Sequence, residues 1–249
     1  MRIVSKIKVV VPISGGKDSQ ACLKLALEQY QADEVLGLFC DTQFEHPLTY
    51  RHIENMSAWY GVKIERVCAG SVEQQCLKTG VFPSSLLRFC TDALKIQPSK
   101  HFYSDLADKQ GGFEVWYGMR SGESNDRAKR YKSVISADLY APHTINKSYP
   151  HYLATKGVMF RLPILDWSTP EVFDYLGNEA NPLYQSGFER VGCFPCLASG
   201  KSHQRQAFKF DETGKKHMKL VAELAERGVV VDKRDTNDDL FLGCSFCAI

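Results

Sequence analysis

No stretch of this 249-residue chain approaches the roughly 18 consecutive apolar residues of a membrane-spanning helix, so none is expected here. The apolar run near the start, KVVVPI, gives way to SGGKDS before a signal-peptide core could form, and a cytoplasmic location is expected. An excess of one charge is also lacking. Thirty-one Lys and Arg face 29 Asp and Glu, a formal net charge of +2, so no global field draws the chain onto nucleic acid or an anionic membrane. Internal repeats and low-complexity tracts are missing. His46, His52, His101, His143, His151, His203 and His217 show no metal-ligand spacing and are expected at the surface or satisfied in the core. His203, beside Lys201 and Arg205, marks a local basic cluster, read as an exposed helix start. The three tryptophans, Trp59, Trp116 and Trp167, are expected in the core.

Cysteine, by contrast, is plentiful. Nine thiols without a secretion signal argue against a disulfide scaffold and for packing, metal or redox use. Cys22, Cys40, Cys68 and Cys76 lie in apolar or mixed stretches and are expected as small buried residues. Cys90, GCFPC (Cys193, Cys196) and GCSFCAI (Cys244, Cys247) form a different group, because Cys-x-x-Cys pairs suit a metal.

The apolar pattern alternates between strands and helices. Lys8–Ile13 reads as a buried parallel strand, 18–30 as a helix, Glu34–Cys40 as a strand, Pro47–Tyr60 as a helix and Val62–Val67 as a strand. A helix over Lys95–Lys109 and a fourth strand ending near Gly118 follow. Ser121–Pro150 is polar and predicts a surface loop with short structured pieces; VMFRLPIL predicts a last strand. TPEVFDYL predicts a short helix capped by Thr169, and a further helix is expected over Lys216–Arg227. The fold class is α/β, a doubly wound parallel sheet with ligands beyond the carboxyl ends of its strands. A nucleotide domain over 1–165 and a small cysteine-rich region over 166–249 are expected.

SGGKDS, between a strand and a helix start, is an anion site by its chemistry. Unpaired amides at the positive end of the helix dipole are joined by the flexible backbone of Gly15 and Gly16, the charge of Lys17 and the hydroxyls of Ser14 and Ser19. Asp18 could cap the helix or hold Mg2+. It is not a Walker loop, which needs G-x-x-x-x-G-K-[ST].

The loop resembles the pyrophosphate loop of the ATP pyrophosphatases, the adenine-nucleotide α-hydrolase-like group. FCDTQFEHPLTYRHIE resembles the D-T-G-x-E-x-P-x-T segment of the phosphoadenosine phosphosulfate (PAPS) reductase-like branch, with Gln43 in place of the glycine. WYGMRSGESNDRAKR resembles its G-x-R-x-x-E-S-x-x-R-A signature. PILDWSTPEVFDYL and NPLYQSGFERVGCFPC resemble stretches of its iron–sulfur members. The resemblance implies nucleotide binding by Ser14, Gly15, Gly16, Lys17, Asp18, Ser19, Asp41, Thr42, Gly118, Arg120, Glu123, Ser124 and Arg127. Catalytic roles are implied for Lys17, Asp18, Asp41 and Arg120. Metal ligands are implied among Cys90, Cys193, Cys196, Cys244 and Cys247. Where those relatives carry tandem cysteines, this chain has Cys90 and Thr91, so a four-cysteine cluster needs a ligand from elsewhere, which the tail can supply as Cys244 or Cys247.

The implied cofactors are ATP, Mg2+ and a [4Fe–4S] cluster; the alternative is zinc, most simply on the two Cys-x-x-Cys pairs. The implied activity is ATP cleavage to AMP and pyrophosphate with adenylation of an acceptor, in sulfur transfer to nucleic acid or a small molecule. Two alternatives stand beside it. One is reduction of adenylyl sulfate (APS) or PAPS to sulfite by a C-terminal cysteine with a thioredoxin-like reductant, although GCSFCAI lacks the E-C-G-[IL]-H motif. The other is a non-catalytic nucleotide-binding subunit. A sulfur donor and a homo-oligomer are left open.

Overall fold

The computed structural model describes residues 6–232. Strand β1 (Val9–Ile13) sends Val9, Val11 and Ile13 into one apolar cluster and Val10 into another, the alternation of a strand covered on both faces. It pairs in parallel with β2 (Val35–Asp41) on one side and with β4 (Phe113–Trp116) on the other. Pro12 lies beyond Val9 and Val10, the two residues paired with β4, so its missing N–H breaks no bond of that ladder. With β3 (Lys63–Cys68) and β5 (Val158–Arg161), the sheet runs in the order β3-β2-β1-β4-β5. The chain turns back across the sheet after β3, which makes the junction of β1 and β4 a topological switch point.

The contacts divide the chain into two units. One draws on the chain up to Cys40, Leu48–Val67 and Ile96–Val191. Ile164, Val172 and Leu176 pack in the same cluster as Val9, Cys22 and Met56, which ties the segment after 165 to the sheet. The second takes Asp41–Pro47, Cys68–Lys95 and 192–232. Its own core includes Phe44, Cys76, Leu94, Phe208 and Leu224.

Helix α1 (Lys17–Gln29) and helix α2 (Pro47–Tyr60) form as the apolar spacing predicts. Helix α3 (Val72–Thr79) is an addition to the sequence reading; Ser71 and Gln74 close a capping box, and Gly80 ends the helix in the left-handed region. The helix expected from Lys95 runs over Gln97–Gln110, entered through a π-helical turn at Asp92–Ile96. The Thr169–Leu176 helix is capped by Ser168, not Thr169: the Ser168 hydroxyl accepts from Glu171 N–H and Glu171 reaches back. The second unit holds helices Lys201–Phe210 and Glu212–Glu226.

Trp116 is buried, but Trp59 is 53% exposed on α2, correcting its expected core position. Cys22 and Cys76 are buried as expected; Cys40 is half-buried and Cys68 is exposed on the alternating strand β3.

Candidate functional site

The loop after β1 is shaped by its own hydroxyls. Ser19 Oγ donates to Gly16 O (2.9 Å) and accepts from Ser14 N–H (3.2 Å), while Ser14 Oγ accepts from Gly16 N–H (3.3 Å). Gly15 has φ +71°, and a Cβ there would lie 2.5 Å from Thr49 Cγ2, so both conformation and space demand glycine. Asn181, fully buried, donates from Nδ2 to Gly15 O (3.0 Å) and accepts from Leu183 N–H (3.0 Å) through Oδ1.

The charges gather at the start of α1. Asp18 Oδ1 accepts from Arg120 Nε at 2.6 Å, and Oδ2 lies 3.2 Å from Lys17 Nζ. The rest of the Arg120 guanidinium donates to Trp167 O and Thr169 Oγ1, both at 3.1 Å. Lys17 Nζ also sits over the rings of Phe173 (5.7 Å) and Tyr184 (5.4 Å). Lys17 is 6% and Arg120 3% exposed, so two nearly inaccessible cations share one carboxylate. That leaves one positive charge in excess beside a helix N-terminus, an arrangement that favours an anion.

Gly118 makes this meeting of β4 and α1 feasible, because a Cβ there would fall 2.5 Å from Asp18 O and 2.9 Å from Ser19 N. Glu123 Oε2 accepts from Arg120 N–H (3.1 Å) and pairs with Arg127, while Ser124 Oγ caps the Asn125–Arg130 helix. These three residues fix the loop that carries Arg120.

Asp41 and Thr42 belong to the second unit. Asp41 Oδ1 accepts from Gln43 N–H (2.9 Å), and Gln43 takes φ +55° where the resembling motif has glycine. Thr42 Oγ1 donates to Glu45 Oε1 (2.7 Å) and lies 3.3 Å from Cys193 Sγ; the Cys193 thiol is 3.8 Å from the same carboxylate oxygen. Burial raises Glu45 above the usual carboxylate range and pushes the Cys193 thiol up to about 12. Cys90 is raised by the same cause. Lys95 interacts electrostatically with Cys90, Cys193 and Cys196, and its pKa is raised, chiefly by Cys193.

Cys90, Cys193 and Cys196 are soft donors, the right chemistry for an iron–sulfur cluster or zinc. Among the described residues, however, no three Cys, His, Asp or Glu side chains converge as a metal site. Cys244 and Cys247 lie outside the described residues. Among the described residues the donors therefore agree with such a group in kind but do not gather as a complete set of ligands.

Asn181, Tyr184, Glu45 and Lys95 are site residues to which sequence reasoning assigned no part. Asn181 and Tyr184 stand in NPLY, and Glu45 occupies the glutamate of the D-T-G-x-E pattern, so the motifs held the signal.

A family model for the phosphoadenosine phosphosulfate reductase domain matches residues 8–199. An uncharacterised protein of Methanocaldococcus jannaschii is 31% identical over 228 residues, covering 89% of this chain and 43% of that protein. The chain thus spans less than half the length of that relative. The phosphoadenosine 5'-phosphosulfate reductase of Buchnera aphidicola is 23% identical over 191 residues, 74% of this chain and 68% of that one. A crystal structure of phosphoadenylyl-sulfate reductase from Candida auris, a phosphate complex, superposes with a TM-score of 0.53 at 17% identity, covering 79% of this chain and 86% of that chain, and so shares the fold. With the glycine loop after β1, the Gly118–Arg120 segment after β4 and a model match over most of its length, this chain belongs to the phosphoadenosine phosphosulfate reductase domain family.

Proposed function

We propose that this protein binds Mg·ATP at SGGKDS and cleaves it to AMP and pyrophosphate, adenylating an acceptor for sulfur transfer to nucleic acid or a small molecule. The observation that carries this reading is the pairing of two buried cations, Lys17 and Arg120, with a single carboxylate at the head of α1. A departing pyrophosphate is an anion, opposite in sign to the charge that this arrangement leaves uncompensated.

The acceptor attacks the α-phosphorus, the bridging P–O bond to the β-phosphate breaks, and pyrophosphate leaves with the electron pair. Such chemistry is driven by positioning and electrostatics. Gly15 lets backbone approach the phosphates, and Lys17 has ammonium donors beyond the one directed at Asp18. Arg120, anchored by Trp167 O and Thr169, is a positioning residue that orients Asp18. Asp18 would hold Mg2+, which when bound neutralises charge on the phosphates. Cys90, Cys193 and Cys196 would hold a [4Fe–4S] cluster or zinc with a further thiolate, a cluster supplying an electron or sulfide store.

A second reading, reduction of adenylyl sulfate or its 3′-phosphate to sulfite by a tail cysteine, draws support from the reductase-domain match. The two separate in one experiment. Anaerobically purified protein receives ATP in one arm and adenylyl sulfate with reduced thioredoxin in the other. Pyrophosphate and AMP support adenylation; sulfite alone supports reduction. Nucleotide binding with neither product would mark a non-catalytic subunit and overturn both.

A further inference from the structure

The first amide of a helix ordinarily has no partner within the protein and serves any anion bound at the N-terminus. Here Gly16, the N-cap, is extended (φ −94°, ψ 161°) and offers no side-chain cap. The Lys17 N–H nevertheless has a partner, donating to Tyr184 Oη at 2.9 Å. A phenol that accepts in this way keeps its own O–H to give, and among the described residues that O–H meets no acceptor.

The hydroxyl is held in place from several directions. Asn181 ties the Pro182–Tyr184 turn to Gly15 O, and the Tyr184 ring packs edge-on against Phe173 with centroids 5.2 Å apart. A Cβ on Gly16 would come within 3.2 Å of the hydroxyl, which therefore lies close against the loop backbone. Burial raises the phenol's pKa, so it stays protonated at neutral pH.

We propose that Tyr184 is an anion-contacting residue: it accepts the hydrogen bond of the Lys17 amide and presents its own O–H to a terminal oxygen of a di- or triphosphate. The helix N-terminus thereby extends its donor by one hydroxyl, and the bound phosphate meets a phenol in place of an amide. This inference rests on the anion-binding reading of the loop given above.

The test is calorimetric titration of the full chain with inorganic pyrophosphate and with ATP, comparing wild type, Tyr184→Phe and Tyr184→Leu, each checked for an intact melting transition. Tyr184→Phe keeps the ring over Lys17 and is expected to weaken pyrophosphate binding about tenfold, the loss of one hydrogen bond to a charged oxygen. Tyr184→Leu should weaken it at least as much. Equal or tighter binding by Tyr184→Phe would show that the hydroxyl merely occupies the loop and overturn the inference while leaving the loop assignment standing. A wild-type protein that binds neither ligand would overturn the loop assignment itself. Should Tyr184→Phe fail to fold, 13Cζ-tyrosine spectra of the wild type decide: a tyrosine resonance shifting with pyrophosphate supports the contact, and a fixed set overturns it.

Discussion

Asp18 and Arg120, 102 residues apart in sequence, meet at 2.6 Å, and this pair joins the glycine loop after β1 to the segment after β4. Its consequence is that the two ends of the cluster differ in what their loss does. Asp18→Ala strips the carboxylate from two nearly inaccessible cations and is expected to cost roughly 3 kcal/mol of stability as well as turnover. Lys17→Ala leaves the Asp18–Arg120 pair intact and should lower turnover about 100-fold or more with a much smaller change in stability. Urea unfolding beside pyrophosphate release checks both. Equal stability losses would mean that the pair does not hold the junction.

Gly118→Ala is expected to separate the loop from the strand. Its Cβ would collide with Asp18 backbone atoms that cannot rotate away, costing about 1–3 kcal/mol and displacing Asp18 from Arg120. A melting temperature and ATP affinity equal to wild type would refute this close approach.

His52, 2% exposed, shares a hydrogen bond of 2.9 Å with Gln20 Oε1, and burial lowers its pKa to about 4. The unfolded chain binds this proton near pH 6.5 and the folded chain only near pH 4, so stability is full above the higher value and declines as pH falls between the two. The span corresponds to about 3 kcal/mol. Denaturation of wild type and His52→Gln across pH 4–7 should show a steeper acid loss in the wild type; parallel curves would contradict it.

Cys193→Ser combined with Cys196→Ser is expected to remove protein-bound iron or zinc, measured by elemental analysis of anaerobic preparations, with the wild type as reference. Metal content undiminished by the double substitution would place the ligands elsewhere. The element found in the wild type distinguishes a cluster from zinc, since both accept soft thiolates.

The strand–helix alternation, the helix over Pro47–Tyr60 to its ends and the glycine loop at a strand's carboxyl end are legible in the sequence, because periodicity and turn chemistry are properties of near neighbours. The local pattern places a helix start at Thr169 where Ser168, one residue earlier, forms the reciprocal cap, and it reads Trp59 as core on hydrophobicity alone. Partner choice across the chain depends on how the strands are ordered. Arg120 is legible as a loop cation, but its commitment to Asp18, Trp167 O and Thr169 follows from β4 lying beside β1, which no local pattern encodes. Tyr184 and Asn181 reach the loop from more than 160 positions away for the same reason. Buried polar groups must find partners wherever the fold puts them, and the order of the strands sets which partners those are.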